Sequence, residues 1–222
     1  MQNRVHIPIH TILVPAGAEY KAVKRGLTNV QNAPQLVAIP AGPQGLEAFL
    51  CDWQVPKPND PLLLMGLGGS LVSKYGVGET IAIQKIWNPV TEEIFECNAG
   101  LTEWLVQQLK ITTGTGVTSD RIITSAKEKQ QMGRTYSAVV VDMEGAVLLK
   151  DLSARVGIIR VISDSCERDL PDIEEAIAPN GSLKPIQIAI SFAKKPKAAI
   201  QLIKGSLMAL NELEALTYRL FS

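Results

Sequence analysis

The run Val139-Val140-Val141 leads directly into Asp142-Met143-Glu144-Gly145-Ala146, and a helix's length later Gly157-Ile158-Ile159-Arg160-Val161-Ile162 leads into Ser163-Asp164. An unbroken apolar run bounded by polar residues suits a strand covered on both faces, as in an α/β sheet with helices on either side. Ligands of such sheets collect at the carboxyl ends of the strands. Two runs that each end in an acid therefore bring Glu144 and Asp164 toward one edge of a buried sheet, an arrangement suited to acid/base or sugar-hydroxyl chemistry. Between the runs, Ala146, Leu149, Leu152 and Val156 share one helical face, with Lys150, Asp151 and Arg155 directed away. That spacing predicts a crossover helix joining parallel strands.

The same alternation runs along the whole chain. Thr11-Ile12-Leu13-Val14 reads as a first strand, and Pro15-Ala16-Gly17-Ala18 turns into a helix from Glu19 to about Leu27. Leu36-Val37-Ala38-Ile39 reads as a second strand closed by Ala41-Gly42-Pro43, after which Leu46, Phe49 and Leu50 fall on one helical face. Residues 61–65 form a buried strand expected to run into a glycine-rich bend at 66–70, where Gly68 and Gly69 would let a ligand approach the backbone. A strand at 80–87 follows; Asn98 caps a helix carrying Leu101, Trp104, Leu105 and Leu109 on one side. Residues 116–123 are strand or loop. Residues 171–196, with Pro179-Asn180-Gly181, read as an irregular loop directly after Asp164, and 197–220 as a long amphipathic closing helix. Nothing in the composition divides the 222 residues, so one α/β domain spanning 1–222 is expected.

Charge and cysteine usage narrow the function. The 22 basic and 22 acidic residues cancel, and no Lys/Arg block tracks a phosphate backbone, which argues against a nucleic-acid partner. The apolar runs fall short of the roughly 20 residues a membrane span needs, and no basic-then-apolar leader opens the chain, so a cytoplasmic protein is expected. Cys51, Cys97 and Cys166 are odd in number and far apart, which fits reduced thiols. His6 and His10 have no acidic or Cys neighbour at ligand spacing. Neither a metal nor another cofactor is assigned.

Seven motifs in order carry a resemblance: Val14 to Glu19, Ala41-Gly42-Pro43, Met65-Gly66-Leu67-Gly68-Gly69, Val77-Gly78-Glu79, Thr118-Ser119-Asp120-Arg121-Ile122, Asp142-Met143-Glu144-Gly145-Ala146 and Arg160-Val161-Ile162-Ser163-Asp164. Together they resemble the nucleoside phosphorylase and nucleosidase superfamily, which includes the methylthioadenosine/S-adenosylhomocysteine nucleosidases. The resemblance implies a three-layer αβα fold with a central mixed, mostly parallel sheet, and a homo-oligomer, a dimer by the family's habit. It implies cleavage of the N-glycosidic bond of a purine nucleoside or adenosyl derivative, a small-molecule substrate that gives up a base such as adenine. Asp164 matches the acid that protonates the departing purine, a role that typically contributes about 10²- to 10⁴-fold. Glu144 matches the carboxylate that accepts the ribose hydroxyls and stabilises an oxocarbenium-like transition state, and Met143 a residue packed against the sugar. Glu19 corresponds to the carboxylate that orients or deprotonates the attacking water. Ser163, Gly68 and Gly69 line the substrate, and Arg121 and Ile122 meet the base, with an aliphatic Ile122 where an aromatic is common.

The attacking group turns on cations. Phosphorolytic members hold phosphate as co-substrate with arginines in the first glycine-rich loop and just before the second; here those places carry Ala16 to Ala18, Leu64 and Leu67. An anion needs donors and positive charge to offset its desolvation, so hydrolysis is favoured over glycosyl transfer to phosphate, with Lys21 or Arg160 as the contacts a phosphorylase would need. A narrower resemblance, from Asp164-Ser165-Cys166-Glu167-Arg168-Asp169-Leu170-Pro171 through Pro179-Asn180-Gly181 to the closing helix, is to the hopanoid-associated phosphorylases, which act on adenosylhopane. The alternative of another class is a non-catalytic nucleoside-binding or storage protein on the same fold. Rossmann-type dinucleotide binding fits poorly, because Gly-x-Gly-x-x-Gly is not satisfied at 66–70.

Overall fold

The computed structural model describes residues 9–54, 60–152, 155–171 and 192–222. Its strands are β1 (Thr11–Pro15), β2 (Gln35–Ile39), β3 (Leu62–Ser70), β4 (Thr80–Asn88), β5 (Glu93–Glu96), β6 (Thr112–Thr118), β7 (Val140–Asp142) and β8 (Val156–Asp164). The helices are α1 (Ala18–Gly26), α2 (Pro43–Asp52), α3 (Ala99–Leu109), α4 (Ala126–Tyr136), α5 (Gly145–Leu152) and α6 (Pro196–Phe221). His6 and Pro179-Asn180-Gly181 lie outside the described residues, as does most of the expected loop at 171–196.

Period-two alternation shows why these runs become strands buried on both faces. Leu62 and Leu64 of β3 and Ile158 and Ile162 of β8 face α2 and α5, packing with Leu46, Ala146 and Leu149. Leu63, Met65, Ile159 and Val161 face the other way, against Val23 of α1, Leu101 and Leu105 of α3, and Leu213 and Leu216 of α6. Helices thus cover both sides of one eight-stranded mixed sheet in which five pairings are parallel and three antiparallel. This is the expected three-layer αβα arrangement. No described helix is long and apolar enough to cross a membrane.

The sheet closes on itself. β3 pairs with β8, β8 with β4, β4 with β6, β6 with β7, and β7 returns to β3. This ring overturns one expectation: β7 and β8 do not pair, and because β3 runs parallel to β8 but antiparallel to β7, they point in opposite directions. Helix α5 is therefore not a crossover between parallel neighbours, and Val156 starts β8 instead of ending the helix. The two acid-bearing ends still converge, because Gly69 of β3 pairs with Val141 on one edge and with Asp164 on the other.

A second correction concerns residues 66–70, which continue β3 as strand and do not bend. The glycines serve close approach between elements, the usual reason for glycine inside a strand. A side chain at Gly68 would strike Val140 Cγ2 at 2.6 Å, so its absence lets β7 close the ring. The strand expected somewhere within 116–123 is β6, which starts earlier and ends at Thr118. Helix α4 and the short strand β5 were not anticipated.

Candidate active site

Arg160 organises one end of the site. It sits on the sheet face shared by Ile158 and Ile162 and is fully buried. Its Nε and Nη2 donate to Asp142 Oδ2 at 2.9 and 2.6 Å, and Nη2 also donates to Glu144 Oε2 at 3.1 Å. Asp142 is further fixed by the Thr118 hydroxyl, which donates to its Oδ1 at 2.7 Å, while that hydroxyl accepts the Ala146 N–H at 2.8 Å. The end of β6, the end of β7 and the start of α5 are thereby locked in one polar network.

Glu144 is held on its other side by the loop before α2. Gly42, at φ 84, caps that helix and donates its N–H to Glu144 Oε1 at 3.1 Å. The left-handed conformation favours glycine, and a Cβ there would lie 3.5 Å from Met143 Cε. Ala41-Gly42-Pro43 and Met143-Glu144 are thus neighbours in space.

Glu19 arrives from the first turn of α1, where Gly17 at φ 105 turns the chain out of β1. Its Oε1 accepts the Leu67 N–H at 2.6 Å. A Cβ at Gly66 would lie 2.5 Å from Arg160 Nη1 and 2.7 Å from Glu19 Oε1, so Gly66 is the gap through which these two groups meet. Arg160 Nη1 is buried and has no hydrogen-bond partner among the described residues. A buried guanidinium donor left unpaired costs more than an ordinary lost hydrogen bond and calls for a partner such as water or ligand.

These groups perturb one another. Burial pushes the Glu19 carboxyl up to about 7; the charge of Glu144 adds to the rise, while the Leu67 N–H and Arg160 oppose it. Burial also raises Glu144 above the ordinary carboxylate range, opposed by Arg160 and reinforced by Asp142. Burial works against the Arg160 charge, but Asp142 and Glu144 more than compensate and hold it protonated. Three carboxyl groups around one guanidinium make a poor seat for a phosphate anion. Lys21, the other candidate cation, lies exposed on α1.

The second end of the site is Asp164. Arg160 pairs with Gly66 and Asp164 with Gly69 in the β3–β8 ladder, so three residues of β3, about 10 Å at the strand rise, separate the two ends. Ser163 Oγ donates to Asp164 Oδ1 at 2.7 Å, and a Cβ at Gly69 would crowd Oδ2 at 3.1 Å. The other carboxylate oxygen is paired with Lys129 Nζ from α4. The Lys129 side chain is 1% exposed and that of Asp164 13%.

The structure thus groups Glu19, Glu144 and Met143 at one end and Gly69, Ser163 and Asp164 at the other, with Gly68 between them on β3. Arg121 pairs with Glu128 at 2.6 Å and lines a surface hollow of about 220 Å³ with Pro89, Ser119, Met132 and Tyr136, whose walls include neither Glu144 nor Asp164. Ile122, half-buried, stands beside it in the chain. A larger hollow, about 420 Å³ between α1 and α6, holds the Arg25–Glu214 pair and no group of this site. Lys129 was missed from the sequence, and Thr118 and Asp142, though they stand in the motifs quoted above, were given no role there. The legible signal for α4 was its N-cap, Ser125, whose side chain accepts the Glu128 N–H, with Lys129 one residue on.

No family model and no curated protein sequence matches the chain. Solved structures do. The 5'-methylthioadenosine/S-adenosyl homocysteine nucleosidase of Campylobacter jejuni superposes with a TM-score of 0.63 at 14% identity, covering 95% of this chain and 99% of that one. A putative 5'-methylthioadenosine/S-adenosylhomocysteine nucleosidase from Francisella philomiragia gives 0.66 at 17%, covering 93% and 95%. Native futalosine hydrolase of Helicobacter pylori gives 0.61 at 13%, covering 90% and 97%. Identities this low speak for the fold alone, and on that ground the chain shares the fold of these nucleosidases and of futalosine hydrolase.

Proposed function

We propose that the protein hydrolyses the N-glycosidic bond of a purine nucleoside or adenosyl derivative. The observation that carries this is the unpaired, buried Nη1 of Arg160, which faces Glu19 beside Glu144. A water molecule bridging Nη1 and Glu19 would satisfy that donor and put its proton within reach of a carboxylate. With a pKa of about 7, Glu19 is poised as a general base, since efficiency is greatest when the base titrates near working pH. Glu144 has lone pairs left after accepting from Gly42 and Arg160, and these suit ribose hydroxyls. Its charge, in a site dry enough to strengthen it, favours positive charge building at C1′. Met143 packs beside the sugar, and Asp164, about 10 Å along β3, meets the departing base with Ser163 steadying its carboxylate.

Water is favoured over phosphate because the pocket around Arg160 is already rich in carboxyl groups and its guanidinium is committed to two of them. Base release from methylthioadenosine, S-adenosylhomocysteine, adenosine and inosine, with and without phosphate, tests the proposal. Free ribose products and phosphate-independent rates are expected; a strict phosphate requirement with sugar-1-phosphate product would overturn the hydrolytic assignment. Binding of these nucleosides without any turnover would mark a storage or binding protein instead. Assembly as a homodimer belongs to the same proposal and is checked by light scattering.

A further inference from the structure

Lys129 is a buried cation that the reaction as described leaves unused. Helix α4 is stapled to the end of β8 and the turn beyond it: Lys129 Nζ pairs with Asp164 Oδ2 and reaches the Ser165 carbonyl at 3.5 Å, Gln130 Nε2 donates to the Cys166 carbonyl at 2.9 Å, and the Ala126 N–H donates to Asp169 Oδ1 at 2.8 Å. Among the described residues no other cation touches Asp164. Both oxygens of Asp164 accept hydrogen bonds, Oδ2 from the Lys129 ammonium and Oδ1 from the Ser163 hydroxyl, yet a purine must gain a proton as its bond to C1′ breaks. Of these two donors only the ammonium is acidic enough to give its proton up, since an alcohol is a far weaker acid. The residue is a lysine, whose ammonium can lose a proton, where an arginine would hold the same charge and keep it.

We propose that Lys129 is a positioning residue that stores the proton for base departure and passes it to Asp164. This deepens the nucleosidase assignment and rests on it. In the step, an Nζ–H bond breaks and Asp164 Oδ2 gains the proton. Asp164 gives a proton to the base nitrogen as the C1′–N bond breaks and its electron pair goes to the base. Water attacks C1′ and yields its proton to Glu19. After release, Glu19 loses that proton to solvent and Lys129 regains one through Asp164, the more exposed member of the pair.

The test compares wild type, Lys129→Met and Lys129→Arg on the best purine nucleoside of the panel above and on 4-nitrophenyl riboside, whose leaving group departs without protonation. Both variants are expected to lose at least about 100-fold on the purine nucleoside, the lower range for a positioned acid, while staying within about fivefold on the nitrophenyl substrate. Retained nitrophenyl turnover also shows that the variants fold. Equal losses on both substrates, or purine turnover by Lys129→Arg near wild type, would overturn the proposal. If wild type rejects the nitrophenyl riboside, chemical rescue of Lys129→Ala on the purine decides. Methylammonium should restore turnover and guanidinium should not; rescue by both, or by neither, would refute proton storage. A wild type inert on every purine nucleoside removes the nucleosidase assignment and this proposal with it, whereas an active wild type with unselective variants removes this proposal alone.

Discussion

Replacing Glu19 with Gln should make the protein more stable and less active at the same time. The Glu19 carboxyl rises from an ordinary 4.5 to about 7 because it is buried and faces Glu144. At about 1.4 kcal/mol per pH unit, the rise from 4.5 to about 7 represents at most about 3.5 kcal/mol; halving that, because the residue as a whole is half-buried although its carboxyl is desolvated, leaves about 1.7 kcal/mol as the lower bound. The sign follows from proton linkage. Below pH 4.5 the group is protonated in both the folded and unfolded chains and contributes no penalty. Between 4.5 and 7 the unfolded chain loses its proton first, so stability falls as pH rises, and above 7 the cost is fully present. Gln keeps an acceptor for the Leu67 N–H and carries no charge, so it removes the cost. Thermal melts of wild type and Glu19→Gln from pH 4.5 to 8.5 should coincide at the acid end. They should separate by about 3–14 °C at the alkaline end, given about 2–4 °C per kcal/mol for a domain of this size. Base release should meanwhile fall about 100-fold or more through loss of the general base. A variant no more stable than wild type at pH 8.5, or a gain equal at both ends of the range, would refute a strained, functional Glu19.

Arg160→Met leaves Asp142 and Glu144 buried without their counter-charge, at a cost of about 3–5 kcal/mol. Melting should drop by roughly 6–20 °C at pH 8 and recover toward pH 5, because Glu144, already raised by burial, then takes up a proton more readily in the folded chain. Gly66→Ala forces its Cβ against Arg160 Nη1 and Glu19 Oε1; Arg160 is pinned by two carboxylates, so Glu19 moves, and turnover should fall at least about tenfold for an overpacking cost of about 1–3 kcal/mol, read from kcat and a melt together. Asp164→Asn should abolish base release, with circular dichroism unchanged.

What was legible in the sequence follows from which forces act locally. The apolar runs of β7 and β8 announce themselves because double-sided burial demands unbroken hydrophobicity, and the acids at their ends are visible as the polar stops. The Asn98 cap was readable for the same local reason, its side chain accepting the Leu101 N–H. The ring closure was not readable. Whether β7 lies parallel or antiparallel to β8 is decided by β3, whose Gly69 has partners 72 and 95 positions later, Val141 and Asp164, and no periodicity within either run encodes that choice. Lys129 was hidden for a related reason. It stands in Ala126-Lys127-Glu128-Lys129-Gln130-Gln131, a stretch that reads as a solvated helix face, and only the carboxylate of Asp164, 35 residues on, makes its burial tolerable.

The glycines of β3 join these two kinds of information. Glycine normally marks a turn, which is why residues 66–70 read as a bend, and in isolation that inference is sound. Within β3, each glycine faces a group that a side chain would displace: Arg160 and Glu19 at Gly66, Val140 at Gly68, Asp164 at Gly69. A strand gives up packing and pays entropy to carry three such residues. That cost is offset when the space is used by buried charged groups that must lie close together without backbone between them. The glycine run therefore carries more functional information as strand than it would as a bend, because Gly66 and Gly69 mark where the guanidinium and the carboxylates approach the sheet and Gly68 marks where β7 closes against it.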